Sequence, residues 1–244
     1  MTMRLVERIV RGGPDKSRST RFHDENNVFM GWSELRHLPR ALLTTARSRW
    51  FRSLPDVPHW PYSAIARIAS VLPRDAVVLE YGTGSSTLWL AKRAAKIYGV
   101  EGSPEWFSVI RELAAKRHLD NVTLLLRDST RYPDRGARSD VFNDEFAGLE
   151  GIADRAFDLV IVDGAARWRC VERALPTVKS GGYLYLDNSD ADKDWIHYTA
   201  AGLRKEAQRL LEEAAARGLG SIERFRGFAP ATPHSEEGML FHKN

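Results

Sequence analysis

Between Ala76 and Leu186 the chain alternates short apolar runs with longer amphipathic stretches, and this rhythm constrains the fold more than any other feature. The runs Ala76–Glu80, Ile97–Glu101, Val122–Leu126, Phe157–Val162 and Tyr183–Leu186 are rich in Val, Ile and Leu and too short for helices. They read as buried strands. Between them, Ser85–Lys96, Pro104–His118 and Arg167–Val178 read as helices. Leu88, Ala91 and Ala95 share one helical face, and Pro104 suits a first helical turn. Parallel strands need such crossovers, so the repeated units imply a mainly parallel sheet covered by helices on both faces. A long helix over Trp195–Arg217 and two further strands, Ile222–Phe228 and Met239–His242, would complete an α/β, Rossmann-like, doubly wound sheet of about seven strands.

Two stretches break the rhythm. Residues 131–156 are too long for an ordinary connection and contain Phe142, Phe146 and Leu149, as a lid or acceptor wall would. Residues 229–237, APATPHSEE, read as a loop between the last two strands.

The N-terminal part differs in charge. Residues 1–60 hold eleven Lys/Arg and six Asp/Glu, a net +5, while the other 184 residues sum to −1. This divides the chain into a basic, partly flexible and helical extension, 1–60, and a main domain, 61–244. Residues 11–27 are polar and turn-rich and read as flexible. Leu35, Leu38, Leu42, Ala46 and Trp50 recur at helical steps, with Pro39 as a kink. Pro55, Pro58 and Pro61 mark a linker, and Ile65, Ile68 and Leu72 a short helix. The basic excess is either a solvated face or a weak attraction to an anionic partner such as a membrane surface. No apolar run approaches the roughly 18 residues of a membrane span. Met1–Arg11 lacks the apolar core of a signal peptide. With Cys170 the sole cysteine, no internal disulfide can form, and a cytoplasmic location is expected.

The chemistry gathers at the ends of the apolar runs. Glu80-Tyr81-Gly82-Thr83-Gly84-Ser85-Ser86-Thr87 lies between the first strand and its helix. Its glycines permit a tight turn and a close approach of backbone to ligand. Dinucleotide sites use a similar loop, but Thr87 replaces their third glycine and Glu80 would repel a diphosphate. An acid there favours a cationic ligand, such as a sulfonium carrying an amino group. Glu101, 21 residues on, can accept hydrogen bonds from both hydroxyls of a ribose. Asp128 either accepts from an adenine amino group or caps a turn. With Asp163 and Asp187, each strand ends in an acid at the edge where open α/β sheets bind ligands.

In VVLEYGTGSSTLWLA, YGVEGSPEWF and FDLVIVDGAARWRCVERALPTVKSGGYLYLDNSD, residues 76–188 resemble the class I S-adenosylmethionine-dependent methyltransferases. The resemblance implies a mixed sheet with its last strand antiparallel. It puts Glu80, Tyr81 and the Gly82–Thr83–Gly84–Ser85 loop at the methionine portion of the cofactor, Glu101 and Gly102 at the ribose, Asp128 and Ser129 at the adenine, and Asp163 beside the reacting groups. The Asp/Asn-Pro-Pro-aromatic motif of amino-methylating nucleic-acid enzymes is replaced here by Asp163-Gly164-Ala165-Ala166, and Cys170 lies too far along for a cytosine-5 nucleophile. A small-molecule acceptor, methylated at oxygen, is therefore expected rather than a nucleic acid.

Asp163, Asp187 and Asn188 also resemble the metal triad of catechol-type O-methyltransferases, which would hold Mg²⁺ against a vicinal diol. Those relatives carry a lysine where this chain offers Arg167, which cannot act as a base. Without metal, Asp163 would serve the cofactor and His197 is the candidate base. Two other readings stay open: an NAD(P)-dependent oxidoreductase using the same loop, and a cofactor-binding module without catalysis.

Overall fold

In the computed structural model, residues 18–51, 56–132, 140–152, 156–190 and 203–244 are described. The expected strands form β1 (Val77–Tyr81), β2 (Lys96–Glu101), β3 (Val122–Leu126), β4 (Phe157–Val162) and β5 (Val178–Asp187), which run parallel. β6 (Gly220–Ala229) and β7 (Thr232–Lys243) complete a seven-stranded sheet among the described residues, in the order β3-β2-β1-β4-β5-β7-β6. β7 is antiparallel to both β5 and β6. Strand order reverses between β1 and β4, so the chain leaves these two strands toward opposite faces of the sheet, and the carboxyl edge there is where such sheets bind ligands.

Helices α1 (Leu38–Phe51), α2 (Tyr62–Val71), α3 (Ser85–Ala91), α4 (Pro104–Lys116), α5 (Asp140–Ala147), α6 (Arg167–Ala174) and α7 (Leu203–Ala216) flank the sheet. One core lies between the sheet and α5–α7, built on Leu79, Val160, Val171, Leu184 and Leu211. The other lies on the opposite face, built on Trp60, Ile68, Val78, Trp89 and Ile161.

Several boundaries differ from the sequence expectation. α3 stops at Ala91, because the amides of Ala95 and Lys96 both bond Ala76 O and lead straight into β2. α6 ends at Ala174, before Pro176, and β5 starts at Val178. Gly181 and Gly182 are therefore a bulge inside β5: the partner of Phe157 is Val178, but that of Leu159 is Tyr183. The part of the expected long helix before Leu203 lies outside the described residues.

The largest correction concerns 229–237. Most of this stretch is strand, because β6 and β7 turn tightly at Pro230-Ala231 and the hairpin extends past Asp187, the carboxyl end of β5. Its polar sequence misleads because arginines hold its acids: Arg224 Nη1 is 3.0 Å from Glu237 Oε1, Arg226 also pairs with Glu237, and Arg18 Nη2 is 3.4 Å from Glu236 Oε2. Residues 18–27, expected to be flexible, are ordered on this overhang. Asp24 is fully buried, accepts from the amides of Asn26 and Val28, and pairs with Arg226 at 2.7 Å. Pro39 sits in the first turn of α1 and makes no kink. α1 buries Ala41 and Thr45, whereas Leu42 and Trp50 of the expected apolar stripe face solvent.

Candidate active site

The glycine loop is shaped by one backbone crossing. Gly82 adopts φ +88°, a conformation that side chains resist, and donates from N to Val100 O at 2.9 Å. A Cβ on Gly82 would stand 2.5 Å from Gly164 Cα, and one on Gly164 would stand 2.8 Å from Gly82 N. The loops after β1 and β4 thus touch backbone to backbone at the point where strand order reverses, and glycine is required on both sides.

Glu101 ends β2 and locks the loop from the other side. Its Oε2 accepts from Thr83 N at 3.1 Å and Thr83 Oγ1 at 2.8 Å. Its Oε1 accepts from Gly102 N at 2.8 Å and Ser103 N at 2.9 Å. Trp106, in the first turn of α4, donates from Nε1 to Thr83 O at 2.6 Å. The carboxylate is therefore fixed before any ligand arrives, with all four of its acceptor sites filled by the protein, and a diol would reach it by displacing the Thr83 hydroxyl, the one side-chain donor among the four.

Glu80 lies beneath the loop, fully buried. Thr87 Oγ1 donates to its Oε2 at 2.6 Å and itself accepts from Gly84 N at 2.9 Å. Burial pushes the Glu80 carboxyl up to about 8, against the hydrogen bonds of Ser86 and Thr87 and with help from the charges of Asp163 and Glu101. Its Oε1, and Ser85 Oγ on the loop itself, are buried without hydrogen-bond partners. Such idle acceptors and donors fit a site that expects a polar ligand.

Above these groups is a cavity of about 580 Å³. Of the residues expected from sequence, Gly82, Thr83, Gly84, Ser85, Glu101, Gly102, Ser129 and Asp163 line it. Glu80 and Tyr81 support the loop from below, with Tyr81 Oη donating to Ala147 O at 3.0 Å. Asp128 lies at the edge, where its Oδ1 accepts from Thr130 N and Oγ1 at 2.8 and 2.6 Å, which holds its pKa below the usual range. That is the turn-capping role. α5, from the long insertion, puts Phe142 and Phe146 in the wall beside Gly102. His197 lies outside the described residues.

The sequence reading missed His59. It is exposed at the cavity wall, in a segment read as a proline linker. Its neighbour Trp60 is fully buried against Tyr185, ring centres 4.8 Å apart, and donates from Nε1 to Asp163 Oδ2 at 3.2 Å. This anchor fixes the backbone that presents His59 to the cavity. Surrounding protein lowers the His59 pKa, opposed by the charge of Asp163. The ring is thus neutral, and able to accept a proton, at neutral pH.

The three expected metal ligands do not fit a metal. Arg167 Nη2 lies 3.0 Å from Asp163 Oδ1 and 3.4 Å from Asn188 Oδ1, and Nη1 donates to Asp187 O. The Asp187 carboxyl instead accepts from Tyr185 Oη at 3.0 Å, buried, and burial together with the charge of Asp163 raises its pKa well above the usual range. A guanidinium thus occupies the ground between these oxygens, and among the described residues no cluster of three His, Cys, Asp or Glu could hold a metal ion. The same substitution, arginine for lysine, that weakened the metal reading in the sequence displaces the metal in space.

No protein-family model matches this chain, and no curated relative does. Solved structures do match. The chain is similar to an O-methyltransferase from Bacillus cereus crystallised with SAH, with 18% identity and a TM-score of 0.55 over 85% of this chain and 91% of that one. It is also similar to an rRNA methylase from Streptococcus thermophilus, with 13% identity and a TM-score of 0.51 over 75% of this chain and 95% of that one. The fold is that of the class I S-adenosylmethionine-dependent methyltransferases.

Proposed function

We propose that this protein is an S-adenosylmethionine-dependent methyltransferase that methylates an oxygen of a small molecule. The observation that carries the reading is Glu101, whose carboxylate is tied to the Thr83 loop and to Gly102–Ser103 at the floor of the cavity. The idle Ser85 Oγ, and the Glu101 and Asp163 side chains in the cavity wall, support a ligand with a polar or cationic end over a diphosphate. When bound, S-adenosylmethionine supplies a methyl group made electrophilic by a positive sulfur.

The chain's own groups do the rest. Glu101 would orient the ribose, and Phe142 and Phe146 would keep water from the nucleoside side. Asp163, held by Arg167 and Trp60, is a fixed negative charge beside His59. His59 would accept the proton of the acceptor hydroxyl as the oxygen takes the methyl group, leaving methylated product, S-adenosylhomocysteine and a protonated imidazole that returns its proton to solvent. The cavity of about 580 Å³ falls in the range of small-molecule sites, as a cofactor pocket requires. Incubation with S-adenosylmethionine and a panel of hydroxylated small molecules, read by mass spectrometry, should show S-adenosylhomocysteine and a product heavier by one methylene. Release of S-adenosylhomocysteine only with RNA would overturn the acceptor, and NAD-dependent oxidation without it would overturn the class.

A further inference from the structure

α1 presents a face that the cavity chemistry does not use. Its inner side is small and buried: Ala41 and Thr45 pack on the β6–β7 hairpin, and Thr44 Oγ1 accepts from Ala231 N at 3.1 Å at the hairpin tip. Its outer side carries Leu42, Leu43 and Trp50, which are 42%, 70% and 80% exposed. Arg40, Leu43, Arg47 and Trp50 follow one another at steps of three and four, so they form a single outward stripe, with Arg49 exposed on the far flank. The helix has no acidic residue, and Arg36, exposed in the preceding 3₁₀ turn, extends the positive charge. Among the described residues, Arg36, Arg40, Arg47 and Arg49 form no ion pair; Arg40 only lies over the Tyr62 ring, 4.7 Å from its centre.

We propose that this face of α1 binds the surface of an anionic lipid bilayer, with Leu42, Leu43 and Trp50 entering the acyl boundary and the arginines meeting the phosphates. An apolar stripe with arginines on both flanks is the form that lies in a membrane interface. The long side chains reach up to headgroups while the indole sits at the boundary. The same face suits other partners less well. A nucleic-acid base could stack on Trp50 alone, and Leu42 and Leu43 beside it offer no ring to a second. A second copy related by a two-fold axis would bring arginines against arginines. The helix is about 21 Å long at 1.5 Å per residue, so a single one gives weak, reversible and salt-sensitive attachment. The hairpin tip it grips projects from the carboxyl edge of the sheet, the edge that also carries the cavity.

The test is co-sedimentation of the full chain with vesicles of mixed phosphatidylglycerol and phosphatidylcholine, and with vesicles of phosphatidylcholine alone. Binding is expected only to the anionic vesicles, with loss at high salt. Leu43→Ser with Trp50→Ser, and separately Arg40→Gln with Arg47→Gln and Arg49→Gln, should each weaken it about tenfold or more, while melting temperature and S-adenosylmethionine affinity stay unchanged. Absence of binding to anionic vesicles at low salt, or binding that ignores both sets of substitutions, would overturn the proposal. So would an oligomer dissolved by the Leu43/Trp50 pair, which would assign the face to a second copy, or binding to RNA alone.

Discussion

Arg167 holds Asp163 through Nη2 at 3.0 Å from Oδ1, and with the same nitrogen reaches Asn188 Oδ1 at 3.4 Å. The arginine is buried, so this cation is part of the site's framework and takes the place a divalent ion would need. Turnover is accordingly expected to survive excess EDTA and to gain nothing from added Mg²⁺. Arg167→Ala should destabilise the fold by about 1–3 kcal/mol, since it removes the buried donor shared by Asp163 and the carbonyl of Asp187. EDTA sensitivity reversed by Mg²⁺ would contradict this.

Glu80 makes the stability depend on pH in a definite sense. Its folded pKa of about 8 is above the ordinary value of 4.5, so the folded state keeps a proton that the unfolded chain has lost. This group costs nothing below about pH 4.5 and costs progressively more up to pH 8, on the order of 1 kcal/mol per pH unit. Glu80→Gln keeps an acceptor for Thr87 and removes the titration. Its melting temperature should approach or trail that of the wild type at pH 5 and exceed it at pH 8. A difference that stays flat across that range would show that Glu80 is ionised in the fold.

The Gly82–Gly164 crossing predicts a sharp local intolerance. Gly164→Ala brings a Cβ to 2.8 Å from Gly82 N and 2.9 Å from Phe146 Cζ. It should cost about 1–3 kcal/mol by overpacking and weaken cofactor binding with it. Gly181→Ala is the control. Its φ of +76° is strained, but nothing lies within 4 Å of the added carbon. It should cost about 1 kcal/mol and leave cofactor affinity alone. Thermal melts and cofactor titrations of both variants check this; equal effects on affinity would mean that the crossing does not shape the site.

His59→Ala should lower kcat by about 10²-fold while the dissociation constant for S-adenosylmethionine is unchanged, as for removal of a general base. Because the protein around it depresses the His59 pKa below 6.5, the wild-type rate should rise through an acidic limb below that value and level off at neutral pH. The limb should vanish in the variant. A variant that keeps both rate and limb would move the base elsewhere.

The sheet was legible because each parallel strand announces itself twice, as a short apolar run and as an acid at its carboxyl end. Glu101 is the clearest case: its position after β2 predicts a ribose contact, and the structure puts its carboxylate at the cavity floor. What the sequence hid is long-range pairing. His59 sits among prolines that read as a linker, and only the bond from Trp60 to Asp163, 103 residues away, brings it to the cavity. Glu236 and Glu237 made β7 look like a loop, since the arginines that hold them come from residues as remote as Arg18. The triad Asp163, Asp187 and Asn188 was adjacent as expected, but Arg167, four residues from Asp163, enters it only through the turn of α6.

The central claim is that the cavity over Glu101 binds S-adenosylmethionine, and titration calorimetry of the full chain tests it most directly. S-adenosylmethionine and S-adenosylhomocysteine should both bind with dissociation constants in the micromolar range, NAD should not compete, and Glu101→Ala should weaken both ligands by roughly 1.5–3 kcal/mol. Binding of NAD in place of S-adenosylmethionine, or affinity for S-adenosylmethionine untouched by Glu101→Ala, would contradict the account.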